Sequence, residues 1–279
     1  MNAKVYSAIS LINFGLDEDI TDGLECQKLD LLQLINFSGS EYSHHFKRLK
    51  ELKVLAFLGM DMSSYLASKR SLALGQPKYL HTLCLEDCKL GDTSHVIGVF
   101  ENLKILSFAR SEISKLPKKI RDLQRLRILD ATYCKGLEEI PYGVLSNLRR
   151  LEELYMAKSF LNWGPKIESK DETSMASLDE VTSLSVRLKV LAIEKPYGQM
   201  VRNDELLFKN ENIRFHVSIN TSWSCNAGMP GYLFENSLML SGDVKEYLEI
   251  GAIRDFLKEC EDLSLDHTYN LKSLMLDQC

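Results

Sequence analysis

The chain is 279 residues long, 45% hydrophobic and 26% charged, with a formal net charge of −5. That composition supplies ample apolar material for a continuous core, and its mild negative charge argues against a nucleic-acid footprint or a polybasic membrane anchor. No segment reads as a membrane-spanning helix, which needs about 18 apolar residues in a row, and the opening Met1-Asn-Ala-Lys-Val-Tyr6 lacks the pattern of a secretory signal.

One apolar frame then recurs along the chain. It opens as Tyr6-Ser-Ala-Ile9-Ser-Leu11, Leu29-Asp-Leu-Leu32-Gln-Leu34 and Leu52-Lys-Val-Leu55-Ala-Phe57, with starts 23 residues apart. It returns at Leu80, Leu103 and Leu126, again in steps of 23. A frame L-x-x-L-x-L repeated every 20 to 29 residues or so is the mark of a leucine-rich repeat. One such unit cannot bury its own apolar face, whereas stacked units can, and the product is a solenoid with a long concave surface.

Inside each frame, polar or small residues alternate with the closing apolar pair. In Leu103-Lys-Ile-Leu106-Ser-Phe108-Ala, Leu106 and Phe108 share one face, while Ile105, Ser107 and Ala109 share the other. A period of two predicts a strand with one face in the core. On this reading Leu32, Leu34, Leu55, Phe57, Leu83, Leu85, Leu106, Phe108, Leu129, Leu154 and Met156 point inward from one parallel sheet. The return after Leu103 carries Ile113, Leu116, Ile120 and Leu123 at spacings of three or four, which predicts a short helical or irregular convex segment. Pro117 lacks a backbone donor and bars a regular element from running through that point.

Later units are looser. The frame at Leu151-Glu-Glu-Leu154-Tyr-Met156 begins 25 residues after Leu126, and the next, Leu188-Lys-Val-Leu191-Ala-Ile193, begins 37 residues after Leu151. The excess holds a polar, breaker-rich stretch from Trp163 to Thr173, expected to be a loop, then Met175, Leu178, Val181 and Leu184 at helical spacing. Degenerate frames follow at Asn212-Ile-Arg-Phe215-His-Val217, around Leu238-Met-Leu240, at Cys260-Glu-Asp-Leu263-Ser-Leu265 and at Leu271-Lys-Ser-Leu274-Met-Leu276. The last step, 11 residues, is too short for a whole repeat. The expected organisation is α/β: a leucine-rich-repeat solenoid, or horseshoe, with a parallel sheet on the concave face and short helical or irregular convex returns. Residues 1–160 form regular repeats, 161–187 a loop and convex-side helix insertion, and 188–279 degenerate repeats. Neither end carries a polar capping unit, so the chain reads as a fragment of something longer.

The seven cysteines are Cys26, Cys84, Cys88, Cys134, Cys225, Cys260 and Cys279. Cys88, Cys134 and Cys279 each follow the last apolar residue of a frame by three, the turn position that such repeats fill with Asn or Cys. No C-x-x-C or paired histidine completes a metal site, and the scatter favours free thiols in a reducing compartment. There is no phosphate-binding G-x-x-x-x-G-K-[ST] and no G-x-G-x-x-G after a strand. His44-His45 lacks a second ligand pair, and Asp17-Glu18-Asp19 reads as a solvated turn. Asn36-Phe-Ser38 and Asn220-Thr-Ser222 match a glycosylation acceptor that only a secreted chain would use. Trp163 and Trp223 read as packing or loop anchors rather than a cage. No catalytic constellation, cofactor site or metal site is expected, and the chain is not expected to be an enzyme.

What remains is the concave face. Its outward positions begin apolar, with Ile12, Leu31, Ile35, Val54 and Leu58, although the repeat does not require it. Such a strip suggests a covering partner, the alternative being that curvature shields it. In the middle repeats Glu86, Ser107, Asp130, Thr132, Glu153 and Tyr155 project from consecutive strands and are the expected protein-binding residues. Tyr155 is the strongest of them, since a tyrosine brings large area, one hydroxyl and little rotamer entropy to lose.

Several segments resemble a known group. They are Leu52-Lys-Val-Leu55, Leu80-His-Thr-Leu-Cys-Leu-Glu-Asp-Cys-Lys-Leu-Gly-Asp92, Leu103-Lys-Ile-Leu-Ser-Phe-Ala-Arg-Ser-Glu-Ile113, Leu116-Pro117, Leu126-Arg-Ile-Leu-Asp-Ala-Thr-Tyr-Cys-Lys-Gly-Leu137, Ile140-Pro141 and Leu151-Glu-Glu-Leu-Tyr-Met156. They are similar to the repeat region of plant coiled-coil nucleotide-binding leucine-rich-repeat disease-resistance proteins, most clearly from about residue 45 to 165. The resemblance implies a cytoplasmic immune-receptor sensor that recognises a pathogen effector or a guarded host protein, or contacts the receptor's own nucleotide-binding domain, and restrains a nucleotide switch. The switch's phosphate-binding motif and the signalling coiled coil are not in this chain, so only the sensor half carries over. Two other readings share the repeat: the substrate-recognition solenoid of a ubiquitin ligase, which should bring an F-box-like helical segment, and a free-standing regulator or decoy scaffold.

Overall fold

The computed structural model describes residues 6–13, 28–36, 51–63, 78–91, 97–164, 175–195, 213–220, 236–272 and 274. Every apolar frame from Tyr6 to Cys260 has become a strand of one sheet. The strands are β1 (Ala8–Ile12), β2 (Leu31–Ile35), β3 (Val54–Leu58), β4 (Thr82–Glu86), β5 (Ile105–Ser107), β6 (Ile128–Asp130), β7 (Glu153–Tyr155), β8 (Val190–Lys195), β9 (Arg214–Ile219), β10 (Ser237–Asp243) and β11 (Asp262–Tyr269). They lie in chain order and pair in parallel throughout. Sequential parallel strands joined by returns on one side make the leucine-rich-repeat solenoid that the 23-residue frame predicts.

The inward set is as the alternation requires. Leu32, Leu34, Leu55, Phe57, Leu83, Leu85, Leu106, Phe108, Leu129, Leu154 and Met156 are all buried in one continuous core. Leu116, Ile120 and Leu123 join that core from the convex return, where Lys118–Asp122 winds into a 3-10 turn directly after Pro117. A proline suits that place, because the first donor of a helical turn has no partner to lose. α1 (Leu178–Leu184) supplies the expected convex helix, with Val181 and Leu184 buried. Met175 stands outside it and bridges Pro141 instead.

Two devices hold successive turns together. At the frame's turn position Cys88 donates its thiol to the Phe57 carbonyl of the preceding repeat at 3.5 Å, and Cys134 to the Phe108 carbonyl at 3.0 Å. Ser111 fills the same position between them, donating to the Leu85 carbonyl at 2.6 Å and accepting from the Cys88 amide at 2.9 Å. Burial pushes the Cys88 thiol up to about 11 and the Cys134 thiol up to about 12, so both stay protonated and serve as donors. The second device is a left-handed residue within three positions after each of β1 to β7: Asn13, Asn36, Gly59 and Asp87, then Arg110, Tyr133 and Lys158 at φ of 60°, 59° and 52°. The first four are residue types that tolerate this conformation, while the last three each carry a strain of about 1 kcal/mol or more.

Trp163 is a packing anchor, buried edge-on against Phe160 at 5.0 Å and donating its indole N–H to the Glu194 carbonyl at 3.0 Å. The structure departs from the sequence reading at two places. The final frame at Leu271 is not a strand, since Leu271 lies in a turn and Lys272 and Leu274 are helical. β11 is thus the last described strand, and the short 11-residue step disappears. A helix pair not anticipated, α2 (Val244–Leu248) and α3 (Gly251–Glu259), forms the return between β10 and β11, with Phe256 of α3 set against Phe215 at 4.7 Å. Cys26, Cys225, Cys279, His44, His45, Asp17–Asp19 and Trp223 lie outside the described residues.

Candidate protein-recognition face

Strand register sets the outward side chains in three rows across the sheet. One runs Leu31, Val54, Thr82, Ile105, Ile128, Glu153, Val190 and Arg214, and the next Gln33, Ala56, Cys84, Ser107, Asp130, Tyr155, Ala192 and His216. The third places Ile35, Leu58 and Glu86 side by side. All six expected binding residues lie on this face of β4 to β7 or just beyond it, but they are not equally available.

Glu86, Asp130, Thr132, Glu153 and Tyr155 are partly exposed, whereas Ser107 is only 4% exposed. The Ser107 hydroxyl donates to Glu86 Oε1 at 3.0 Å and accepts from the Ala109 amide at 3.3 Å. Its place is to fix Glu86 rather than to meet a partner. Arg110 holds the other side of Glu86 at 3.3 Å and clamps Asp87 through Nε at 2.9 and 2.8 Å. Tyr155 donates to Glu153 Oε2 at 2.7 Å, so the ring is presented in one orientation. Burial raises the Tyr155 hydroxyl well above its ordinary range, and the Glu153 carboxylate adds to it. Asp130 accepts the Thr132 amide at 2.8 Å, and its carboxyl is raised chiefly by burial, with Glu86 adding to the shift.

Sequence reasoning did not single out the residues that border this patch. His216, two strands beyond Tyr155 in the same row, shares a 2.6 Å hydrogen bond with the Ser237 hydroxyl, and burial lowers its basicity. Lys158 lies over the Tyr133 ring at 5.3 Å. Along the edge where the strands begin, Arg127 grips Glu152 at 2.7 and 2.8 Å and Lys189 reaches the same carboxylate at 2.7 Å. Those hydrogen bonds hold Glu152 down to about 2. Beyond the strands' other ends a hollow of about 850 Å³ is lined by Lys89, Arg110, Glu112, Tyr133 and Lys135, among others. Among the described residues no cluster of three or more His, Cys, Asp or Glu is placed to hold a metal, and no helix is long and apolar enough to cross a membrane.

No protein-family model matches the chain. Two proteins of Arabidopsis thaliana are similar in sequence. Disease resistance protein At4g27190 is 30% identical over 189 residues, which is 66% of this chain and 18% of that protein. Disease resistance protein RPS4B is 28% identical over 208 residues, 73% of this chain and 17% of that protein. The chain therefore spans less than a fifth of the length of either. Among solved structures, a leucine-rich-repeat protein of Leptospira interrogans is 17% identical, covering 94% of this chain and 78% of its own at a TM-score of 0.44.

Proposed function

We propose that this homologue of plant disease resistance proteins is the recognition region of a cytoplasmic immune receptor. It is a binding scaffold and not an enzyme. Its concave face meets a pathogen effector or a guarded host protein and passes that event to a nucleotide-switch module elsewhere in the receptor. One observation carries the reading: Glu86 of β4, Asp130 of β6, and Glu153 and Tyr155 of β7 project onto one face, with Asp130 and Tyr155 register partners, over a core they do not help to build. A partner can touch all of them at once, and changing them leaves the stacked leucines intact. Ser107 supports this set from beneath.

The test is a leaf cell-death assay with the complete receptor that carries this region. Tyr155→Ala combined with Glu153→Ala should abolish the response to the recognised protein or cause cell death without it. An unchanged response at normal protein level would refute the assignment to the middle strands.

A further inference from the structure

The concave face divides into two chemically different halves that meet at a single inter-strand step. On β1 to β3 the outward side chains carry no charge, and Ile12, Leu31, Ile35, Val54 and Leu58 dominate them. On β4 to β7 the charged outward side chains are Glu86, Asp130 and Glu153, with no lysine or arginine on those four strands, and the next outward cation in their rows is Arg214 of β9, two strands past Glu153. The boundary is abrupt, because Leu58 and Glu86 are register partners.

The acidic half is only partly neutralised from within, since Arg110 acts on Asp130 and Arg127 on Glu153 without pairing with them. Arg110 enters from its edge but is committed to Asp87 and Glu86. Asp130 and Glu153 have no ion-pair partner among the described residues, and accept only the Thr132 amide and the Tyr155 hydroxyl in the hydrogen bonds above. The field is visible at Cys84, whose thiol is pushed up to about 11 by burial first and then by Glu86 and Asp130. A purely apolar partner would strip water from Asp130 and Glu153 and leave them unpaired, which is costly. An acidic partner would add like-charge repulsion. A cation satisfies both carboxylates, while apolar side chains cover the neighbouring strip.

We infer that the concave face takes one partner segment that joins apolar side chains to lysine or arginine, the apolar side chains lying over Leu31, Val54 and Leu58 and the cations reaching Asp130 and Glu153. This inference rests on the concave face being the recognition surface. It also fixes a spacing. At about 4.8 Å per strand, β3 lies about 14 Å from β6 and about 19 Å from β7. The partner's apolar and basic residues are then separated by about 4 to 6 residues if the segment is extended, or about 9 to 13 if it is helical.

The experiment pans a randomised peptide library of about 16 residues, long enough for either geometry, against the immobilised full chain and sequences what is retained. Lysine plus arginine should rise about threefold over the input library, aspartate plus glutamate should fall, and apolar residues should recur at the stated spacing. The basic enrichment should vanish on Asp130→Asn/Glu153→Gln, and the apolar enrichment on Leu31→Ser/Leu58→Ser. A measurement needing no variant is salt: retained basic peptides should weaken by about tenfold between 50 and 500 mM sodium chloride, as screening predicts. Enrichment of acidic or uncharged sequences that either variant abolishes overturns the inference and leaves the concave reading standing. Enrichment that both folded variants retain overturns the concave reading as well, and no enrichment at all overturns the inference.

Discussion

Glu180 offers the sharpest test of how the insertion is tied to the solenoid. It sits on α1, is only 3% exposed, and draws two backbone amides of a different repeat onto one carboxylate. Its oxygens accept from the Gly143 amide at 3.0 Å and the Ser146 amide at 2.9 Å. Hydrogen bonds to a charged group contribute about 1.5–3 kcal/mol each, so two set a ceiling of about 3–6 kcal/mol. Gly143 and Ser146 are only partly buried, and water admitted by Glu180→Ala will rescue part of that. We therefore expect Glu180→Ala to cost about 2–3 kcal/mol and Glu180→Gln, which keeps one acceptor oxygen, about half as much. Urea unfolding followed by circular dichroism gives the global value. A repeat array need not unfold in one step, so amide hydrogen exchange at Gly143 and Ser146 should be read in parallel. A cost below about 1 kcal/mol for Glu180→Ala, with both amides as protected as before, would refute the reasoning.

Four further outcomes are expected of this fold. Leu106→Ala removes a fully buried side chain from the middle of the core and should cost about 2–5 kcal/mol in denaturant unfolding. Glu152, held to about 2, contributes stability that is present above its unfolded value of about 4.3 and lost as pH falls toward 2. The ion pairs are largely exposed, so Glu152→Gln should flatten the acid limb of the stability profile by less than about 1 kcal/mol and leave neutral pH nearly unchanged. In native protein at pH 8, iodoacetamide should leave Cys84, Cys88 and Cys134 unmodified in peptide mapping and label all three after denaturation, because their thiols lie near 11 to 12. On the edge strand β11, Leu263 and Leu265 are 37% and 40% exposed where the equivalent residues of inner strands are buried. Leu263→Ser/Leu265→Ser should reduce any self-association seen by sedimentation, and an unchanged distribution would place the contact elsewhere.

The repeat was legible because its period and its alternation agree. Twenty-three residues return the chain to the same place, and two-residue alternation says which side chain turns inward. Depth was not legible. Alternation puts Ser107 on the outer face, yet the short β5 and the hydrogen bond to Glu86 sink it beneath its neighbours. The false frame at Leu271 shows the limit of the pattern itself, since L-x-x-L places leucines at helical as well as strand intervals. The reverse error hid α3, although Ile250, Ile253, Phe256 and Leu257 carry the helical spacing plainly. No sequence signal marks Arg110, Tyr133 and Lys158 as left-handed, because those residue types are uncommon in that conformation. The Arg127–Glu152–Lys189 cluster joins residues 25 and 37 positions apart, so it emerges only once the insertion is known to leave β7 and β8 paired.

Each strand is hydrogen-bonded only to its neighbours in the chain, and this has a mechanical consequence. A load applied along the stack would peel the edge repeat without shearing the rest, since none of the described strands pairs with a distant one. Releasing one 23-residue unit feeds out about 76 Å of chain, at about 3.3 Å per residue, while the stack shortens by only about 4.8 Å. Pulled in an optical trap, the solenoid should therefore pay out length in repeat-sized steps at modest force. A single rupture is the behaviour of a domain whose ends are locked across one shared sheet, which this fold is not.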